Sequence, residues 1–105
     1  MDTFPPEIVL VTGGCGYVGS ALVPKLVRRG HRVRVLDPMM FGNPIADTPG
    51  VEFVQADIRD VGQDIMDGVG VVVHLAGIVT DELADMNPEL TRQVNVEATL
   101  RLATL

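Results

Sequence analysis

A run of four apolar residues, 8–11 (IVLV), leads into a segment where Gly13, Gly14, Gly16 and Gly19 fill four of seven positions. No other stretch restricts the fold of this chain so strongly. Glycine inside a strand or helix costs about 0.5–1 kcal/mol relative to alanine, so a cluster marks a turn or a close backbone approach. The apolar run has strand length and no alternation, the pattern of a parallel strand buried on both faces. Beyond the glycines, Val18, Ala21, Leu22 and Leu26 recur at helical spacing. Arg28 and Arg29 stand where positive charge suits a helix C-terminus, and Gly30 suits a left-handed cap. A strand, a glycine turn and a helix over 17–29 are expected, with Pro24 kinking the helix.

The same alternation continues. Residues 32–36 (RVRVL) read as a second strand, and Pro38, Gly42, Pro44, Pro49 and Gly50 mark a loop before a third strand at 52–55 (EFVQ). Residues 60–67 suit one short helix, 69–75 (VGVVVHL) form the most apolar strand, and 87–105 read as a final helix with Pro88 in its first turn. Strands alternating with helices predict an α/β fold of parallel strands and right-handed crossovers. The economical architecture is a partial three-layer Rossmann-type parallel sheet, strand order 3-2-1-4, with crossover helices. At 105 residues and without an internal repeat, one domain over 1–105 is expected.

Composition removes several partner classes. The formal charge is −6 and the eight Lys and Arg residues read as scattered, so neither a nucleic-acid nor an anionic-membrane footprint is expected. The single cysteine, Cys15, allows no internal disulfide and fits a reducing, cytoplasmic location. Cys and His show no metal-ligand spacing, so no metal is expected. The opening MDTFPPE lacks a basic, apolar leader and the apolar runs are too short for a bilayer, so no membrane role is expected.

A glycine turn between a strand and a helix N-terminus offers unpaired N–H groups and the positive end of a helix dipole, a site for an anion such as a pyrophosphate. Gly14, Gly16 and Gly19 satisfy GxGxxG, and Gly13, Gly16 and Gly19 satisfy GxxGxxG. A bulky residue at Gly19 would push the helix away from the sheet. Asp37 ends the second strand about 20 residues on, where a carboxylate can accept from adenosine ribose hydroxyls. The same carboxylate repels a ribose 2′-phosphate, which favours NAD over NADP. The bland alternatives are a structural turn for the glycines and a solvated strand-end residue for Asp37. Arg32 and Arg34 read as ordinary surface charge.

These residues resemble the extended short-chain dehydrogenase/reductase family, in particular its NAD-dependent nucleotide-sugar epimerases and dehydratases. VTGGCGYVGS looks like that family's TGxxGxxG loop, and Asp57-Ile58 like its adenine-contacting pair. HLAG at 74–77 looks like its fourth-strand signature, and NVEAT at 95–99 like its following helix. The resemblance implies NAD as cofactor and a cofactor site at Gly13, Gly16, Tyr17, Val18, Gly19, Asp37, Asp57, Ile58, Leu75, Ala76, Gly77 and Asn95. Asp57 would accept from the adenine amino group with Ile58 as an apolar lid, or Asp57 would cap the next short helix. Ala76 and Gly77 would admit the ribose and nicotinamide side, or pack a tight turn. Tyr17 would pack or touch the cofactor, His74 reads as a hydrogen-bonded structural histidine, and Asn95 would support the active-site architecture. Cys15 has no accompanying base and is not expected to be a nucleophile.

The family's catalytic pair is a tyrosine with a lysine four residues later, the lysine lowering the phenol's pKa for proton exchange. The one tyrosine here, Tyr17, is followed at that spacing by Ala21, and the one lysine is Lys25. No catalytic residue is therefore assigned. Thr80, in the loop after the fourth strand, could touch a substrate, although a loop threonine usually faces solvent. The resemblance covers about the first third of a family member and omits its substrate-binding portion, so the chain reads as an amino-terminal fragment. Its fourth strand would form an exposed edge, with self-association into a homo-oligomer or marginal stability as the expectation. The implied function is the NAD-binding portion of an enzyme acting on a nucleotide sugar by transient hydride transfer, the sugar being the partner of the full-length parent. The alternatives are a non-catalytic NAD-binding regulatory or assembly module, part of a related steroid or flavonoid reductase, and a structural fragment assembling through Leu90, Val94, Leu100 and Leu102.

Overall fold

The computed structural model describes residues 7–40 and 42–76, together with Glu89, Arg92 and Ala103. The chain opens with β1 (Ile8–Thr12), every residue of which is buried. This is the strand with no alternation, and it lies inside the sheet. Helix α1 (Tyr17–Arg28) follows the glycine turn and runs through Pro24 as one helix. It stops where Gly30, at φ 89, allows His31 N–H to reach Leu26 O at 3.1 Å and Gly30 N–H to reach Val27 O at 3.0 Å. Those two bonds satisfy carbonyls that the helix end would leave open.

Three more strands complete the sheet: β2 (Arg32–Asp37), β3 (Val51–Gln55) and β4 (Val69–His74). All pairings are parallel and the order is β3-β2-β1-β4, the expected half-Rossmann layer. The side-chain period of two sends Val9, Val11, Val33 and Val35 to one face, against Val23 of α1 and Ile45. Leu10 and Leu36 go to the other, against Ile58, Val61 and Ile65. Val69 packs with the Leu10 group and Val73 with the Val11 group, although four residues apart they share a parity. The register shift between Ile8 and Val9 opposite β4 reconciles them.

Two expectations are corrected here. The short helix expected over 60–67 is a four-residue 3-10 turn, Gln63–Met66, entered from the extended Gly62. Arg34 is not ordinary surface charge. Its side chain is only 12% exposed and pairs with Glu52 of β3 at 2.7 Å. It also donates to Ile65 O at 2.7 Å and Asp67 O at 2.9 Å, holding the 3-10 turn to the sheet. The alternating RVRVL pattern shows that Arg34 faces away from the Val35 side, but not that a turn 31 residues later covers that face. Of the expected final helix, only Glu89, Arg92 and Ala103 are among the described residues, each in helical conformation, and Thr80 lies outside them. Among the described residues, no helix is long and apolar enough to cross a membrane.

Candidate functional site

Because all four strands run parallel, their carboxyl ends share one edge of the sheet. The segments that leave that edge are the glycine turn after Thr12, Asp37 and the loop behind it, residues 56–58 after β3, and Leu75 and Ala76 after β4. β1 lies between β2 and β4, so the glycine turn stands at the point where strand order reverses, the usual ligand crevice of such sheets.

Each of the four glycines has its own reason. Gly13 has φ 71, and a Cβ there would lie 2.8 Å from Ala76 N, so the turn passes directly against the end of β4. A Cβ on Gly14 would strike Val35 Cγ1 at 2.7 Å, and one on Gly19 would strike Gly14 Cα at 2.5 Å. Gly19 therefore seats α1 on the turn itself, a closer partner than the sheet anticipated for it. Both glycine patterns are in use, since Gly13 and Gly14 are each constrained. Gly16 differs. Its backbone is extended, φ −80, and a Cβ there would meet only Gly13 O, at 3.3 Å. That contact asks Gly13 O to give by a few tenths of an ångström, a milder conflict than at the other three glycines, and Gly16 itself is exposed, so a longer side chain there would reach into the space outside the turn.

That space faces the start of α1. Gly16 is the N-cap and has no side chain to accept from the first turn, which also carries no acidic residue. Ser20 N–H bonds Gly16 O at 2.8 Å, so the amides of Tyr17, Val18 and Gly19 precede the first intrahelical donor. The Tyr17 and Val18 side chains are 95% and 58% exposed, leaving this end of the helix open. An anionic group fits there on both counts, amides with no partner among the described residues and the positive end of the dipole.

Asp37 is tied into the turn. Its Oδ2 accepts from Cys15 N–H at 3.1 Å and its Oδ1 from Met39 N–H at 2.7 Å. A second tie lies beside it. Cys15 Sγ donates to Asn43 Oδ1 at 3.4 Å, and the same oxygen accepts Ile45 N–H at 3.1 Å. Burial, with the nearby Asp37 charge, pushes the Cys15 thiol up to about 11, which keeps it protonated and able to donate.

Thr12, fully buried, knots the far side. Its Oγ1 accepts from Leu75 N–H at 3.1 Å and Ala76 N–H at 3.2 Å. With both lone pairs engaged, its single proton goes to His74 Nδ1, which must be the acceptor nitrogen. Burial lowers the pKa of His74, in keeping with a neutral ring. His74 is thus the hydrogen-bonded structural residue anticipated. Thr12 holds Leu75 and Ala76 against Gly13.

At the third strand's end, Asp57 caps its own turn. Its Oδ1 accepts Arg59 N–H and Arg59 Nε–H, each at 2.9 Å, and its Oδ2 accepts Arg59 Nη2–H at 2.6 Å. These bonds hold its pKa below the usual carboxylate value. Ile58 is 5% exposed within the Leu10 group. This corrects the apolar lid: the side chain is core, so only the peptide of Ile58 remains for a ligand.

The structure places Gly13, Gly16, Tyr17, Val18, Gly19, Asp37, Leu75 and Ala76 at or just beyond the carboxyl ends of β1, β2 and β4, with Asp57 and Ile58 following β3 at the same end of the sheet. Gly77 and Asn95 lie outside the described residues. Thr12, Met39, Asn43 and Arg59 were not singled out beforehand. Asn43-Pro44 is a turn signal that points to Asn43, and Met39 and Arg59 sit two residues after an aspartate that accepts their N–H, an Asx-turn pattern legible locally; Thr12 alone acts through distant contacts with no local signature. Among the described residues, no group of three or more His, Cys, Asp or Glu could hold a metal ion.

Comparison with known proteins agrees with this geometry. The model of the NAD dependent epimerase/dehydratase family matches residues 9–105. A putative UDP-glucose 4-epimerase of Methanocaldococcus jannaschii is 37% identical over 98 residues, which are 90% of this chain and 32% of that protein. The structure of an epimerase from Methanothermobacter thermautotrophicus superposes with a TM-score of 0.85 at 32% identity, over 94% of this chain and 31% of that one. A Thermus thermophilus UDP-glucose 4-epimerase in complex with NAD gives 0.79 at 34% identity, over 91% and 32%. The chain thus spans about a third of the length of the relatives it matches.

Proposed function

This chain belongs to the NAD dependent epimerase/dehydratase family, and from that premise we propose that it carries the adenosine and pyrophosphate half of an NAD site in an enzyme that epimerises or dehydrates a nucleotide sugar. The observation that carries the proposal is Gly16, an exposed glycine with ordinary extended backbone beside helix amides that have no partner among the described residues. The amides of Tyr17, Val18 and Gly19 would hold the pyrophosphate, with Gly13 and Ala76 closing the turn beneath it. Asp37 would accept from the adenosine ribose hydroxyls. Each carboxylate oxygen accepts one main-chain N–H and retains capacity for another bond. The peptides at Asp57 and Ile58 would border the adenine. Leu75, Ala76, Gly77 and Asn95 would border the nicotinamide side.

The bound cofactor would supply a hydride acceptor for a sugar hydroxyl. This chain's own part is to hold the dinucleotide rigidly along the strand ends, and no residue in it is assigned to proton transfer. The relatives' names, UDP-glucose 4-epimerases, support a nucleotide-sugar substrate for the longer protein. The one cysteine supports a cytoplasmic location.

Calorimetric titration of the 105-residue chain with NAD and NADP tests the reading. NAD is expected to bind and NADP to bind more weakly. Gly16→Leu is expected to fold, since its backbone is unstrained, and to lose NAD affinity by about a hundredfold or more, as loss of two or three anion-binding hydrogen bonds implies. A folded Gly16→Leu variant with unchanged NAD affinity, or a parent chain giving neither heat nor thermal shift, would falsify it.

A further inference from the structure

We propose that Asp37 plugs a preformed anion notch made of two main-chain amides, Cys15 N–H and Met39 N–H, and that this notch, rather than carboxylate charge alone, sets discrimination against a 2′-phosphate. The inference rests on the NAD reading for the identity of the ligand, but not for the existence of the notch. The two donors come from different connections, one from the glycine turn and one from the loop behind β2. They converge on one carboxylate at 3.1 and 2.7 Å. The Cys15 contact spans 22 residues, so it is a tertiary contact and not part of a local turn.

Both donors are held by groups other than Asp37. On the Cys15 side, Gly16 N–H bonds Gly13 O at 3.1 Å and Gly13 N–H bonds Leu36 O at 2.8 Å, pinning the turn to the end of β2. On the Met39 side, Met39 is the one described non-glycine residue with positive φ, at 59, and Gly42 N–H returns to Met39 O at 3.0 Å. The Cys15 thiol then clips the two segments together through Asn43, whose oxygen also accepts from the buried Ile45. Removing the Asp37 side chain would leave two partly buried N–H groups facing one vacated position without dissolving what holds them there. A tetrahedral oxyanion presents two oxygens at a spacing close to that of a carboxylate, so a phosphate monoester is the matching replacement. A ribose lying against the end of β2 would present its 2′ position there.

Charge repulsion and a plugged notch predict different outcomes for two substitutions. Asp37→Asn removes the charge but keeps the notch sterically occupied, its single oxygen accepting from one of the two amides. Asp37→Ala removes the charge and empties it. The parent chain and both variants are titrated with NAD and NADP, and their melting is followed with inorganic phosphate at constant ionic strength. The NADP-to-NAD affinity ratio of Asp37→Ala is expected to exceed that of Asp37→Asn by about tenfold or more, the scale of one charge-assisted hydrogen bond. Phosphate is expected to raise the melting temperature of Asp37→Ala more than that of Asp37→Asn, both variants keeping the same glycine turn. Equal ratios and equal phosphate shifts would leave charge repulsion as the whole cause and overturn the notch. If the parent chain binds neither dinucleotide, the NAD reading fails while the phosphate arm still reports on the notch. Should Asp37→Ala not fold, Asp37→Ser takes its place, and absence of phosphate stabilisation or rescue in both variants counts against the proposal.

Discussion

Thr12→Val separates hydrogen bonding from shape at the residue that joins β1 to the end of β4. The substitution keeps the β-branched outline and stays in a strand, so packing and strand propensity change little. Leu75 N–H retains a partner, because it also bonds Thr12 O at 2.9 Å. Ala76 N–H loses its acceptor, and His74 Nδ1 loses the hydroxyl donor. One orphaned amide costs about 1–3 kcal/mol and a lost neutral hydrogen bond about 1 kcal/mol, so Thr12→Val should destabilise by about 2–4 kcal/mol. Thr12→Ser keeps the hydroxyl and removes one buried methyl, a loss of about 1 kcal/mol. The order of stability should therefore be Thr, Ser, Val, opposite to that expected from apolar burial alone. The chain contains no tryptophan and Tyr17 is 95% exposed, so fluorescence is a poor probe and urea unfolding is best followed by far-ultraviolet circular dichroism. Equal slopes with shifted midpoints would place the effect in the native state. A Val variant as stable as the Ser variant, or within about 0.5 kcal/mol of the parent, would refute the reading of Thr12 as a hydrogen-bonding hub.

Arg34→Met keeps the apolar stem but leaves Ile65 O, Asp67 O and Glu52 without its guanidinium, so a loss of about 1–3 kcal/mol is expected in the same unfolding assay, whereas a true surface arginine would give almost none. Burial depresses the His74 pKa, so the unfolded chain takes up that proton more readily. Its contribution to stability should be complete above about pH 6.5 and be lost as the pH falls from there through the lower folded value. His74→Asn, which still offers Thr12 an acceptor oxygen, should flatten the melting temperature against pH in that window, and an unchanged slope would reject the assignment. With its thiol pushed up to about 11, Cys15 should be about a thousandth thiolate at pH 8 and react with iodoacetamide roughly a hundredfold more slowly than a free cysteine. A rate near that of the free amino acid would contradict the burial of the thiol beside Asp37.

What could be read from the sequence divides along a physical line. The strands, α1 and the Gly30 cap depend on periodicity and on residues a few positions apart, so IVLV, the Val18–Leu26 spacing and RRG were sufficient to place them. The glycine turn was legible because a strand, a turn and a helix in succession leave few other uses for bare backbone. Which glycine does what was not legible, because the deciding neighbours, Val35 and Ala76, lie 21 and 63 residues away along the chain from Gly14 and Gly13. Arg34 and Thr12 were hidden for the same reason. The partners of Arg34 lie 18 to 33 residues away, and those of Thr12 62 to 64, while each side chain alone looks like a common strand residue. Ile58 shows the converse error: a resemblance assigned its side chain to a ligand, but its neighbour Asp57 starts a capped turn that directs it into the core. Polar contacts between distant segments thus set the positions of Asp37, Leu75 and Ala76. Substitutions at Thr12 or Asn43 should therefore alter ligand affinity without touching the ligand.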